Sequence, residues 1–301
     1  MTYKGIIEWL IKGDVSIQYQ TRRDLLNANN KVLTGLRKRI EKEGWGKTYL
    51  EKRGENGLWG NGVYSPKWIS THYTLMDLKS LCINPNNKES SETAELLINR
   101  GHGKRGDLCI TGMSLGFYSY FRVLDDKYKP YVDYILDKQF EDGGWNCRYK
   151  EGATHSSVHT TINILEGLLE FRKSGHNYRK EEIMLVEKRA REFLLEHRLF
   201  KSHRTGEIMN IKMTRLSFPT RWYYDILRAL EYFRNANAPY DERMNDSIKL
   251  ILKKRRKDGT WPLQQKHRGR VHFDMEKPGK ASRWNTLRAL RTLKYLNKIN
   301  Y

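Results

Sequence analysis

Cysteine and histidine side chains that could bind a metal or move a proton lie close together near the middle of the chain. Cys147 is followed by His155 and His159, and the two histidines would share one face of a helix because they are four residues apart. Zinc favours such ligands, but no Cys-x2-Cys pair, clear fourth ligand or His-Glu-x2-His sequence accompanies them. We therefore expect no cofactor, with zinc as the weaker alternative. The functional hypothesis is acid–base catalysis by His155 and His159. The structural alternative is that these histidines bond to the backbone or line a polar cavity.

The stretch from 199 to 225 combines basic and aromatic residues ahead of an expected helix. It contains His203, Arg204, Arg221, Tyr224 and Asp225. Arginine forks bind carboxylate or phosphate with two hydrogen bonds, and a helix N-terminus adds donors for an anion. The stretch indicates either an anion-binding site, with Asp225 as a candidate catalytic group, or an ordered connection whose arginines pair with its own carboxylates.

The last long loop carries another candidate set. Asp274 and Glu276 are two residues apart, so both could point the same way from an extended segment that leads to Arg283, Trp284 and Asn285. A carboxylate beside arginine could act as acid or base, and the three later residues could hold an anionic ligand. A salt-bridged loop is the structural alternative.

Large aromatic side chains could wall a central cavity. Aromatic faces stabilise carbocations and also stack on bases, although helix-spaced aromatics usually form plain core. His72, which we align with His159 as the equivalent position of another repeat, joins the expected ligand-binding residues. The candidate wall residues are Trp68, Tyr73, Tyr118, Trp222, Tyr224 and Trp284.

The elements that must position these residues are helices arranged in pairs. Apolar periodicity predicts about twelve helices and little strand. Odd-numbered helices are amphipathic and charged, whereas even-numbered helices are richer in Gly, Thr and aromatic residues. This alternation predicts six helical hairpins in an all-α (α/α)6 toroid, a single domain over 1–301, with a central pocket opening on the rim of long loops. The expected spans are 4–12, 15–28, 31–43, 68–83, 89–100, 108–124, 127–140, 155–174, 180–197, 219–235, 240–256 and 281–297.

Three glycine–tryptophan turns end at Trp59, Trp145 and Trp261. A turn of this type repeated at long spacing is typical of one supersecondary unit stacked many times. We expect each Trp to clamp neighbouring helices rather than to line an active site. Gln139, which is replaced by arginine in the other two copies, should bond free backbone groups at a helix end.

The second turn lies in Tyr134-Ile135-x3-Gln139-x3-Gly143-Gly144-Trp145, which resembles the QW motif of squalene and oxidosqualene cyclases. Over nearly its full length the chain resembles the α/α-toroid superfamily of terpenoid cyclases and protein prenyltransferase β-subunits. More closely, it resembles a bacterial group of single-toroid, squalene-cyclase-like proteins of unknown role, in segments 9–26 and 282–290. The resemblance implies a toroid fold. The Asp-x-Asp-Asp acid of the cyclases is absent, and the Asp, Cys and His zinc ligands of the prenyltransferases find no convincing match.

The charge of the chain is strongly positive, at +21 from 56 Lys and Arg against 35 Asp and Glu. Such a charge attracts phosphate-bearing partners, unless it only solvates a lysine-rich surface. No apolar run is long enough for a transmembrane helix, which leaves peripheral membrane contact open. Three scattered cysteines and a start without a signal-peptide layout favour a reduced, cytoplasmic protein.

Three functions follow from these observations. The first is a cyclase- or prenyltransferase-like protein that binds an anionic ligand, such as an isoprenoid diphosphate, in the central pocket. The second is a protein that binds or modifies nucleic acid through a basic rim. The third is a toroid that processes an anionic polysaccharide, since His, Arg, Tyr and Asn sets suit proton abstraction beside a uronate.

Overall fold

The computed structural model describes residues 1–298 and contains two concentric rings of helices. Helices of the inner ring are buried on almost every side, whereas helices of the outer ring bury one face. The inner helices are α2 (Val15–Asp24), α5 (Thr71–Ser80), α7 (Leu108–Tyr120), α9 (Val158–Lys173), α11 (Ile226–Asn235) and α13 (Arg283–Tyr295). The outer helices are α1 (Tyr3–Ile11), α3 (Asn30–Ile40), α4 (Gly44–Leu50), α6 (Lys88–Asn99), α8 (Lys129–Asp137), α10 (Lys180–Glu196) and α12 (Asn245–Lys253).

The ring closes where the last inner helix meets the first. On α13, Arg291 Nη1 donates to Gln20 Oε1 of α2 over 2.8 Å, and Lys294 Nζ donates to the Leu25 carbonyl over 3.1 Å. The predicted all-α (α/α)6 toroid is confirmed. Within residues 1–298, no helix is both long and apolar enough to cross a membrane.

Two inner helices touch through their backbones because glycines face each other. A Cβ added to Gly167 of α9 would lie 2.1 Å from the carbonyl oxygen of Gly112 on α7, and one on Gly112 would lie 2.7 Å from the carbonyl oxygen of Asn163. No side chain fits at either glycine, so the glycine-rich α7 sequence sets the close spacing of this pair.

Two differences from the predicted helices have local causes. The segment from 219 to 225 is a loop, since Arg221 has φ +57° and Asp225 caps α11 by accepting from the Arg228 backbone N–H over 2.8 Å. The predicted helix 31–43 ends at Ile40, and the short helix α4, which was not expected, begins at Gly44, where φ is +65°. Strands β1 (Trp261–Pro262) and β2 (Ala281–Ser282) form one small antiparallel pair at the start of α13.

The three turn tryptophans clamp outer helices to inner helices in the same way. Each indole N–H donates to the carbonyl ten residues earlier, at Tyr49 (2.7 Å), Ile135 (2.8 Å) and Ile251 (2.7 Å). Each backbone N–H donates to a threonine hydroxyl near the start of the next inner helix, at Thr71 (3.0 Å), Thr161 (3.1 Å) and Thr286 (2.9 Å). All three indoles are fully buried, which confirms their prediction as structural clamps.

These hydrogen bonds correct the alignment of the first repeat. Thr71 accepts the bond that Thr161 and Thr286 accept, so the position equivalent to His159 is Ile69 rather than His72. The sequence alignment was wrong by three residues because His-x-Thr occurs in both segments.

We expect Thr161→Val to lower the free energy of unfolding by about 1–3 kcal/mol, since it leaves the buried Trp145 N–H without an acceptor. The matched control is Thr292→Val, because Thr292 is equally buried on an inner helix and its hydroxyl has no hydrogen-bond partner among the described residues. Urea unfolding of both variants measures the difference. Equal losses would contradict the clamp.

Candidate functional site

The loop rim of the toroid is closed. The loops before α5, α11 and α13 fold over it and bind one another: Trp68 Nε1 donates to the Arg268 carbonyl over 2.8 Å, and Tyr223 stacks on His267 at 3.9 Å. A void of about 20 Å³ lies beneath them. The prediction of a pocket that opens on this rim is wrong, because these aromatic loops fill the space that we assigned to a ligand.

The main cavity lies inside the inner ring and has a volume of about 570 Å³. Its closed end is formed by buried residues such as Asn163 and Trp284, near the starts of α9 and α13. Its other end reaches Lys173, Asn237 and Tyr295, which are exposed where the inner helices end. The cavity therefore opens on the side opposite the loop rim.

Charged side chains form much of the wall of this cavity, and polar and apolar atoms share the lining almost equally. The apolar part includes Met76, Met113, Leu169, Phe218 and Trp284. The basic lining residues are Arg23, Lys79, Lys173, Arg228, Arg234, Arg288 and Arg291, and the acidic ones are Asp24, Glu166, Glu170 and Glu231. The basic groups outnumber the carboxylates, so the cavity favours an anion.

One buried carboxylate joins two arginines in the cavity wall. Glu231 of α11 accepts from Nε of Arg288 and Nε of Arg291, each over 2.7 Å, and both arginines lie on α13. Burial alone would raise the pKa of Glu231, but Arg291 and Arg288 outweigh it and lower that pKa to about 2. The carboxylate stays ionised and fixes α13 against α11.

A second arginine pair links α9 to α11. Arg228 Nε donates to Glu166 Oε1 over 2.9 Å, and Nη2 donates to Glu166 Oε2 over 2.6 Å and to Asn163 Oδ1 over 2.8 Å. Nη1 donates to the Tyr223 carbonyl over 2.6 Å. These contacts engage the whole guanidinium. Arg228 therefore builds the wall and has little capacity left for a ligand.

The positive charges of two basic side chains at the open end are poorly neutralised by carboxylates. Lys173 forms no ion pair with any residue in 1–298. Arg234 donates to Asn235 Oδ1 over 2.9 Å, and its carboxylate partner is Asp24, at 3.4 Å, which Arg23 and Arg291 already hold. Burial lowers the pKa of Lys173; Glu170 opposes this, and Arg234, Lys79 and Arg23 lower it further. Burial, followed by Arg291, lowers the pKa of Arg234 as well. Cations that repel one another around open space form a site for an anion.

The indole of Trp284 is another unmet hydrogen-bonding group at this cavity. It lies at the closed end, stacks on Phe218 at 4.2 Å, and its buried Nε1–H has no acceptor among the described residues. A buried donor without an acceptor carries a free-energy penalty that a ligand oxygen could remove. Of the site residues expected from the sequence, Trp284 is the one that lines the main cavity.

Several other predicted site residues cap helices or tie loops. Asp225 accepts from Ser217 Oγ over 2.9 Å in addition to capping α11. Glu276 accepts from the backbone N–H groups of Arg283 (2.6 Å) and Trp284 (3.3 Å), and burial raises its pKa. Asn285 donates to the Pro262 carbonyl over 3.0 Å. Through these contacts Asp225, Glu276 and Asn285 stabilise the fold.

The predicted histidines at the rim are held in neutral form. His159 Nδ1 accepts from the Tyr224 backbone N–H over 2.9 Å, and burial, assisted by Arg228, lowers the pKa of His159 to about 4. His72 is fully buried, its Nδ1 lies 2.9 Å from Nε2 of His102, and burial holds its pKa well below the ordinary value. With Nδ1 occupied, His159 offers a donor at Nε2 rather than a base.

Two predicted arginines are used inside the protein. Arg221 is buried in an ion pair with Asp77 and lies 5.7 Å from the ring centre of Trp68. Arg283 Nε donates to the Trp9 carbonyl over 3.1 Å, and its guanidinium covers the Trp9 ring at 4.5 Å.

Tyr224 is buried, and its hydroxyl donates to the Leu199 carbonyl. Four other predicted residues are exposed and lie apart from the cavity. His203 Nδ1 lies 3.4 Å from His197 Nε2, and Asp274 pairs with Lys266. Arg204 and His155 are exposed on their loops. Within residues 1–298, no group of three or more His, Cys, Asp or Glu side chains is arranged to hold a metal ion. The catalytic and ligand-binding roles of all these residues remain predictions.

The arginines and carboxylates of the inner helices were not among the site residues predicted from the sequence. The signal was present, because Leu227–Leu230 and Leu287–Leu290 repeat the sequence Leu-Arg-Ala-Leu. A charged residue repeated within an otherwise buried helix indicates a polar interior.

The fold and this site define an (α/α)6 toroid with a polar, cation-rich cavity. The chain is similar to a solved structure named Polysaccharide Lyase BACCELL_00875, with a TM-score of 0.53, 11% sequence identity and coverage of 100% of both chains. At this identity the similarity supports the fold alone. No family model and no curated protein sequence matches the chain.

We expect Glu231→Gln to lower the free energy of unfolding by about 3–5 kcal/mol at neutral pH, because Arg288 and Arg291 lose their shared buried partner. Glu196→Gln, at an exposed site on α10, is the control and should change it by less than about 0.5 kcal/mol.

The pH dependence gives a second measurement of the same pair. The folded pKa of Glu231 is lowered from 4.5 to about 2, so its stabilisation is complete above pH 4.5 and is lost as the pH falls toward 2. The difference between wild type and Glu231→Gln in urea unfolding should shrink over that range. A difference independent of pH would contradict this assignment.

Proposed function

We propose that the central cavity binds an acidic oligosaccharide and that the protein processes an anionic polysaccharide. The observation that carries the proposal is the pair of poorly compensated cations, Lys173 and Arg234, at the open end of a cavity lined with polar groups. A uronate carboxylate is the anion that such a site can bind by charge-assisted hydrogen bonds.

The rest of the lining suits a ligand with many hydroxyl groups. Asn235 and Asn237 at the open end supply amide groups, and the carboxylates accept hydrogen bonds from hydroxyls. A volume of about 570 Å³ lies within the range of about 300–1,000 Å³ that is usual for small-molecule sites. The similarity to a polysaccharide lyase is compatible with this proposal, although it concerns the fold.

The same lining argues against an isoprenoid chain as the ligand. A hydrocarbon would have to desolvate the charged groups on α9, α11 and α13 without giving them hydrogen bonds. Many aromatic faces, which a carbocation needs, stack together in the closed rim, and in the cavity wall Phe218 and Trp284 stack on each other.

The arrangement at the open end supports elimination at a uronate as the reaction class. Arg234 would neutralise the uronate carboxylate and make the neighbouring C–H proton more acidic. Lys173, whose pKa is lowered chiefly by burial, would take that proton as the bond from the sugar to the leaving oxygen breaks. A proton from water would complete the leaving alcohol.

Nucleic acid is the competing ligand because of the net charge of +21. A nucleic-acid chain is too large for a cavity of about 570 Å³, so nucleic acid would have to bind to outer surfaces. The basic stretch that starts at Lys253 is one such surface. Substitutions at the two places therefore distinguish the two ligands.

Arg234→Ala should weaken binding of a galacturonate tetrasaccharide by about 10- to 100-fold in calorimetry, since it removes a hydrogen bond to a charged group. Lys253→Ala removes one positive charge from the exposed end of α12 and is the control. A neutral galactose tetrasaccharide should not bind. Equal weakening by both substitutions, or binding of nucleic acid alone, would overturn the proposal.

Lys173→Arg separates binding from chemistry because it keeps the charge and removes the base. We expect retained affinity but loss of the ultraviolet absorbance that an unsaturated uronate product gives. In wild type the rate should rise with pH as Lys173 loses its proton, at a pH below that of an ordinary lysine. Unchanged turnover in Lys173→Arg would exclude Lys173 as the base.

A further inference from the structure

Two of the three cysteines, far apart in sequence, meet at the start of α7. The backbone N–H of Cys109 donates to Cys147 Sγ over 3.1 Å, across a sequence separation of 38 residues. This contact places the two cysteines side by side. Cys109 lies in the first turn of α7, and Cys147 begins a 3-10 helix just after the Trp145 clamp. Both residues are partly exposed and both are free thiols.

The surroundings give the two sulfurs different properties. Besides the Cys109 N–H, Cys147 Sγ accepts from Thr160 Oγ1 over 3.3 Å. The hydrogen bond from the Cys109 thiol lowers the pKa of Cys147; burial opposes this, and the Thr160 hydroxyl and Cys109 N–H assist. The pKa of Cys109 is raised by the same thiol contact and by burial. Cys147 is thus the nucleophile and Cys109 its protonated partner.

We propose that Cys109 and Cys147 form a redox-active dithiol that closes to a disulfide on reaction with a peroxide. The geometry carries this inference: two partly exposed cysteines touch through the Cys109 backbone N–H and Cys147 Sγ, and that sulfur accepts two hydrogen bonds. The site lies on the rim side of the toroid, and its chemistry is independent of the ligand proposed for the cavity.

The reaction balances with hydrogen peroxide as the oxidant. The Cys147 thiolate attacks one peroxide oxygen, the O–O bond breaks, and the hydroxide that leaves takes a proton to become water. The Cys109 sulfur then attacks the sulfenic sulfur, loses its own proton, and displaces a second water. The two thiols supply the two electrons that reduce the peroxide, and an external dithiol reverses the bond.

Cys82 is a natural control because it lies apart from this pair. It borders the central cavity, where its sulfur is 3.7 Å from Nη1 of Arg23. We expect iodoacetamide at neutral pH to modify Cys147 on the order of tenfold faster than Cys82, since the thiolate is the reacting form.

The test is thiol counting and peptide mass mapping of the full-length protein before and after treatment with hydrogen peroxide. Wild type should lose two of its three free thiols and yield a linked Cys109–Cys147 peptide that a dithiol releases. Cys82→Ser should give the same link at the same rate. Cys109→Ser should stop at a sulfenic acid that a diketone probe traps on Cys147.

Three outcomes would overturn the inference, and the first two need wild type alone. One is a disulfide that includes Cys82, and another is a disulfide only between molecules. The third is unchanged peroxide consumption in Cys147→Ser, with folding verified by its helical circular dichroism.

Discussion

The buried carboxylate of Glu231 is the interaction on which the toroid and its cavity depend most. It lies between Arg288 and Arg291, and Arg291 continues to Gln20 and Asp24 on α2. This chain of charges connects α11, α13 and α2, where the ring closes. A helix ring could close with apolar contacts alone, so the use of charge here gives the interior its polar character. Removing one member leaves buried charges without partners. This lowers the free energy of unfolding far more than the loss of a surface ion pair does.

The filled loop rim and the open cavity lie at opposite ends of the inner helices. At the starts of these helices, aromatic clamps, capping carboxylates and stacked loops fill the available space. At their ends, the cavity opens and the cations exceed their partners. Helix dipoles place partial negative charge at this open end, which opposes an anion. The basic side chains must therefore supply the attraction, and Lys173 and Arg234 are the ones with capacity to do so.

The sequence predicted the architecture well because its signals are periodic and local. Helix alternation and the three glycine–tryptophan turns define the hairpins, and the indole hydrogen bonds repeat with the same ten-residue separation. The site was harder to predict, since arginine beside aromatics is equally common in filled loops and in binding sites. Arg221, for example, is neutralised by Asp77, on a helix that is distant in sequence. The meeting of Cys109 with Cys147 likewise depends on tertiary packing that spacing does not reveal.

The most direct test of the central claim is a crystal structure of the protein with a galacturonate tetrasaccharide. The account predicts sugar inside the inner ring, with one carboxylate within hydrogen-bond distance of Arg234 or Lys173. Sugar bound instead to the loop rim or the outer helices, with the cavity still empty, would contradict it.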